Sequence, residues 1–211
     1  MPQISTQEFE RLPLRVHDFL AGVPLHDVWV VDLPRTRSGI TLDEFLRTAG
    51  ARSQVSCDCC ENDGTRKATL LTRSPVVRTL LNIRFFAGRL LGLDREPAST
   101  VWETFTTRLT TADHSRSLAP AGTREGLFRI VYRFENEQLL ELVNRTAHAA
   151  ALSALVETAN GYRFYFGVYV RKVSRLTPIY MALVDPFRKL IVYPSLLRSV
   201  RASWNQAFVT A

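Results

Sequence analysis

The stretch NGYRFYFGVYVRKV, residues 160–173, decides the fold. Asn160-Gly161 is the pair preferred by a two-residue type I′ hairpin, because both central positions need positive φ. After it, Tyr162, Phe164, Phe166, Val168 and Val170 line one face of a strand, and Arg163, Tyr165, Tyr169 and Arg171 line the other. Such alternation is the period-two signature of a strand with one buried face.

The same code runs backward from the hairpin. LFRIVYRF, 127–134, sets Phe128, Ile130, Tyr132 and Phe134 on one face and Arg129 and Arg133 on the other. GluAsnGlu turns it into a strand at 138–143, and a third strand spans about 147–158. Four strands thus form an antiparallel meander with an almost wholly apolar face that another element must cover.

Thr177-Pro178 opens the one long element that follows, a helix with Tyr180, Leu183, Val184, Phe187, Leu190 and Ile191 at three- and four-residue spacing. Its stripe continues through Leu196, Leu197, Val200 and Trp204, rotated round the axis. Pro186 and Pro194 lack an N–H and crowd the preceding turn, so a bend or break is expected there.

Upstream, residues 14–22 suit a short helix and DVWVVDL, 27–33, a β-branched strand. Thr41 with Glu44 forms a capping box opening a helix that is expected to end near Gly50, with Leu42, Phe45 and Leu46 inward. Residues 51–73 read as a polar, cysteine-bearing loop. Ser74-Pro75 starts a helix ending near Gly92, residues 101–110 partly alternate as a strand would, and 111–126 read as a loop.

Composition bounds the function. With 211 residues, 46% hydrophobic and 22% charged, the chain is expected to form a single α+β domain over 1–211. The net charge of +7 comes from 27 basic residues, of which only Lys67, Lys172 and Lys189 are lysine. The arginines are scattered, as a GC-rich bacterial genome produces, and not grouped as a nucleic-acid reader needs, so nucleic acid is not an expected partner. The first residues lack the blocks of a signal peptide, no apolar run reaches a membrane span, and the cysteines suit a reducing cytoplasm.

The order of helices, meander and final helix resembles the helix-grip fold of the START-like, or SRPBCC, superfamily, which includes the birch-pollen-allergen family and polyketide cyclases. More closely, the chain is similar to an uncharacterised bacterial family of that superfamily. The passages that carry this are HDFLAGVPLHDVWV at 17–30, 74–94, and SRLTPIYMALVDPFRKLIVYP at 174–194, with Tyr180, Pro186, Phe187 and Arg188 at set offsets. Residues 51–73 have no counterpart in the pattern. The resemblance implies a hydrophobic cavity between sheet and C-terminal helix, and no reaction.

On the inward sheet face, small Ala150 and Ala154 stand among Leu152, Val156, Phe164 and Phe166, which leaves room for a small lipid-like or aromatic ligand. Phe128, Tyr132, His148, Leu152, Phe166, Tyr180 and Phe187 are the expected ligand contacts. Tyr132 and His148 are the polar groups that alternation places there, and a cyclase- or hydrolase-like enzyme would use His148 as base. A single base without a partner makes no reaction, so binding without catalysis is the expectation.

Cys57, Cys59 and Cys60 lack the paired spacing of a zinc site, and no metal or cofactor is expected. Arg163, Tyr165, Tyr169 and Arg171 read as the solvated side of the sheet. An exposed Tyr165 and Tyr169 would serve as a homodimer contact in a non-catalytic interaction protein.

Overall fold

The computed structural model describes residues 4–54, 103–125, 128–143, 148–172, 182 and 185–209, with 50–54 described in backbone alone. The cysteine segment from residue 55, the helix expected over 74–92, the start of the final helix and Tyr180 lie outside the described residues.

The molecule is α+β. Two short helices, α1 (Thr6–Glu10) and α2 (Val16–Phe19), precede strand β1 (Leu25–Pro34) and helix α3 (Leu42–Gln54). Next come a 3₁₀ turn (Phe105–Arg108), helix α4 (Thr111–Arg116) and a short strand β2 (Arg124–Glu125). Strands β3 (Phe128–Arg133), β4 (Glu137–Val143), β5 (His148–Thr158) and β6 (Gly161–Arg171) form the meander. The C-terminal helix is described from residue 185 to residue 209 and includes α5 (Tyr193–Trp204). Together the strands make one antiparallel sheet, in the order β1-β6-β5-β4-β3-β2.

The strong local signals survive folding. Thr41 caps α3, its hydroxyl accepting the Glu44 N–H at 3.2 Å. The helix nevertheless runs past Gly50 to Gln54. At the β5–β6 hairpin Thr158 faces Gly161, so the turn is Ala159-Asn160, one residue earlier than the Asn-Gly reading. Gly161 is still obligatory, because a Cβ there would stand 2.4 Å from the Leu33 carbonyl oxygen of β1.

Two expectations fail for the same reason, a distant carboxylate or cap overriding a weak local pattern. Residues 105–108 are a 3₁₀ turn and not a strand, since the Phe105 N–H donates to Glu141 Oε1 of β4 at 2.7 Å. Residues 111–116 are helical and not loop, because Thr110 and Asp113 form a reciprocal capping box.

Register assigns the faces. Leu155 faces Phe164, Ser153 faces Phe166 and Ala151 faces Val168, so these share the side that carries the C-terminal helix. Trp29, Val31 and Leu33 of β1 face Phe166, Phe164 and Tyr162 and join that side. Against them pack Tyr193, Leu196, Leu197, Val200 and Trp204. Trp204 is wholly buried, with ring centroids 5.1 Å from Tyr162 and 5.4 Å from Phe45. Its indole N–H donates to the Pro34 carbonyl at 3.1 Å.

Before Pro194 the backbone widens into a π-helical turn, Arg188–Val192. Proline clashes with the carbonyl four residues back, and a wider turn relieves that clash without ending the helix.

The opposite face is not solvated, contrary to the alternation reading. Phe9, Val16, Phe19 and Leu20 from α1, α2 and the residue after it cover Tyr165 and Tyr169, leaving those tyrosines 3% and 5% exposed. Neither is available as an exposed interface. A β-bulge between Ile130 and Tyr132 sends Ile130 to the C-terminal helix and Tyr132 to the α1–α2 side. Phe128 and Phe134 are divided in the same way, as are Arg129 and Arg133, whose β4 partners Glu141 and Gln138 point to opposite faces.

Candidate functional site

The residues expected to meet under the C-terminal helix are divided by the sheet. Phe166 is buried there and Phe128 packs at its edge. Leu152, Tyr132 and His148 are wholly buried on the other face, with Ala150 and Ala154. Phe187 is on the C-terminal helix itself, but it is 53% exposed.

On the α1–α2 face the polar groups are tied into structure. The Tyr132 hydroxyl donates to Glu137 Oε1, which also accepts the Val16 N–H at 2.9 Å, while Oε2 takes the Arg15 N–H at 2.8 Å. Glu137 thereby caps α2, whose own residues supply no cap. Burial, outweighing these hydrogen bonds, raises the Glu137 carboxyl above its ordinary range. His148 Nε2 lies 2.5 Å from Glu141 Oε1, and its ring stacks on Phe105 with centroids 4.0 Å apart. Among the described residues Nδ1 of His148 and Oε2 of Glu141 have no partner.

A cleft of about 920 Å³ opens beside this network, lined among others by Leu12, Leu14, Arg15, His17, Arg116 and Phe134. Arg15 is held bidentately by Asp113 at 3.0 and 3.1 Å, and Arg116 lies over the Phe134 ring at 4.8 Å.

A second polar constellation lies under the C-terminal helix, and two of its buried groups, on Asp27 and Trp29, are not satisfied among the described residues. Alternation along β1 turns Asp27 to the same side as Trp29, Val31 and Leu33. Asp27 is 3% exposed, and among the described residues neither carboxylate oxygen accepts a hydrogen bond of normal length, although the Tyr193 hydroxyl acts on it. The nearest cations stand beyond hydrogen-bond reach, Arg188 at 3.8 Å and His26 at 3.9 Å. The indole N–H of Trp29, buried on the same face, also has no acceptor among the described residues.

Around Asp27 the helix head supplies partners that serve one another. Asp185 accepts from Arg188 at 3.1 Å and lies 2.8 Å from His26 Nε2. Arg188 also donates to the Tyr193 hydroxyl, and its guanidinium lies 5.2 Å from the Tyr193 ring centre. Tyr193 in turn packs against Trp29 and Phe166, with centroids 5.3 and 5.7 Å apart. Burial pushes the Asp27 carboxyl above its ordinary pKa, with Arg188 and His26 pulling the other way. Burial likewise raises the Tyr193 phenol.

Sequence reading passed over Asp27, Asp185 and Tyr193, and noted Arg188 solely as part of a motif. One signal was present: Asp27 is an acidic residue in phase with the inward positions of an apolar strand. Among the described residues no group of three or more His, Cys, Asp or Glu is placed to hold a metal ion. Nor, among them, is any helix long and apolar enough to cross a membrane.

The sequence matches, over residues 19–195, the family described as Protein of unknown function (DUF2867). No curated protein matches the chain.

Proposed function

We propose, from the premise that the chain belongs to the DUF2867 family, that it binds a small, largely apolar molecule between the sheet and the head of its C-terminal helix. The molecule's polar end would meet Asp27 and Trp29, and its body the rings of Tyr193 and Phe166. One observation carries this reading: a buried carboxylate and a buried indole N–H on the same apolar wall both lack a partner at normal hydrogen-bond length among the described residues. Unpaired buried polar groups are expensive, and a bound ligand is one of the few ways they are repaid in kind.

The resemblance to the START-like superfamily supports the same location, since the helix-grip fold holds its ligands between sheet and C-terminal helix. A cytoplasmic location belongs to the same reading. Native mass spectrometry of the purified chain is expected to show a bound species of small-molecule mass, lost on denaturation. The reading fails if a crystal structure shows side chains or ordered water bonding to Asp27 and Trp29 with no space for a molecule between them.

One observation favours a second reading, an acid–base enzyme built on His148: Glu141 holds Nε2 and leaves Nδ1 unpartnered. Against it, His148 is wholly buried beneath Phe105, and the Tyr132 hydroxyl is committed to Glu137.

A further inference from the structure

The charges around Asp27 suggest what kind of polar end the molecule carries; the inference rests on the binding reading above. β1 contributes His26 and Asp27, and the helix head contributes Asp185, Arg188 and Tyr193. Two carboxylates face one guanidinium. Asp185 holds that guanidinium at 3.1 Å and the His26 imidazole at 2.8 Å, whereas among the described residues no donor stands at normal hydrogen-bond length from Asp27, on which the Tyr193 hydroxyl acts more loosely. An anionic ligand would meet two acids. A neutral hydroxyl would satisfy one oxygen of Asp27 and leave its charge to Arg188 at 3.8 Å, which Asp185 shares.

The neighbouring rings favour a cation as well. Trp29 and Tyr193 pack against each other with ring centroids 5.3 Å apart on the wall that carries Asp27, and the Arg188 guanidinium lies 5.2 Å from the Tyr193 ring centre. Aromatic faces stabilise a positive charge without competing for its N–H groups, so an ammonium can lean on the rings while donating to Asp27.

We propose that the site takes an apolar molecule ending in a cationic amine, with the ammonium donating to the Asp27 carboxylate against Trp29 and Tyr193.

The test uses three probes with one apolar body, 4-phenylbutylamine, 4-phenylbutanol and 4-phenylbutanoic acid. Each is titrated calorimetrically into the full-length protein near neutral pH. The amine is expected to bind about tenfold or more tightly than the alcohol, and the acid more weakly than either, the margin of a charge-assisted hydrogen bond. In Asp27→Asn the amine should lose its advantage over the alcohol. Alcohol or acid binding the wild type as tightly as the amine overturns the inference and leaves the binding reading intact. An amine preference that persists undiminished in a folded Asp27→Asn protein also overturns it. If none of the three binds the wild type, the inference falls together with the binding reading.

Discussion

His26 Nε2, near the start of β1, lies 2.8 and 2.9 Å from the two carboxylate oxygens of Asp185, at the head of the C-terminal helix. This contact closes the sheet's first edge strand onto the last helix across most of the chain. Both side chains are partly exposed, so its worth is modest. Asp185→Asn is expected to cost about 1 kcal/mol or less in urea denaturation. Hydrogen exchange should nevertheless quicken in the π-helical turn Arg188–Val192, because the substitution also removes an acceptor of Arg188. Unchanged exchange there would mean the helix head is held by other contacts.

Asp27 should make the fold less stable as pH rises. Its carboxyl titrates above the ordinary range because it is buried, so the folded chain keeps a proton that the unfolded chain has already released. Stability is therefore lost as pH climbs from the unfolded carboxylate pKa through the folded one. Asp27→Asn is expected to be more stable than wild type at neutral pH, with the advantage shrinking in acid. Urea midpoints for both proteins across the acid-to-neutral range measure this. A binding group that costs stability is the trade expected of a functional site.

Asp113 behaves oppositely. The Arg15 guanidinium bonded to it holds its carboxyl well below the usual range, helped by the Thr110 N–H and hydroxyl. A depressed folded pKa contributes stability above the unfolded value of about 4, and that contribution is lost as pH falls through the folded value. With its side chain 4% exposed, Asp113→Ala should cost about 2–4 kcal/mol, since it removes the Asp113 half of the α4 capping box and leaves Arg15 without its main partner. The variant's stability should also vary less with pH on the acid side.

Trp204 is the anchor of the C-terminal helix, wholly buried among Phe45, Tyr162 and Phe208. Trp204→Ala is expected to cost about 3–5 kcal/mol, the range for emptying so large a buried site. Trp204→Phe should recover much of that while losing the bond to Pro34. Thermal unfolding of the two variants separates the packing from the hydrogen bond.

Strand positions, the capped start of α3 and the late helix were legible because each is written in local spacing. Period two marks β3 to β6, three-and-four spacing marks α5, and Thr41 announces its helix three residues ahead. The candidate site was not legible to the same degree. Tyr132 and His148 read as inward residues, yet the bulge at Ile130/Tyr132 and the register of β5 on β6 turn them away from the C-terminal helix.

By itself, then, the sequence determined which segments are strands and helices and that the long apolar helix must close on the sheet. Tertiary structure alone decided which side of each strand meets which layer. Alternation defines two faces without labelling them, and here α1 and α2 make both faces apolar enough to be interior. It also decided that Asp27 would meet Arg188 and Asp185, residues far away along the chain, with no hydrogen bond to spare for it. A lone acid in a strand pattern carries no sign of its partners, because they are set by how the helix crosses the sheet.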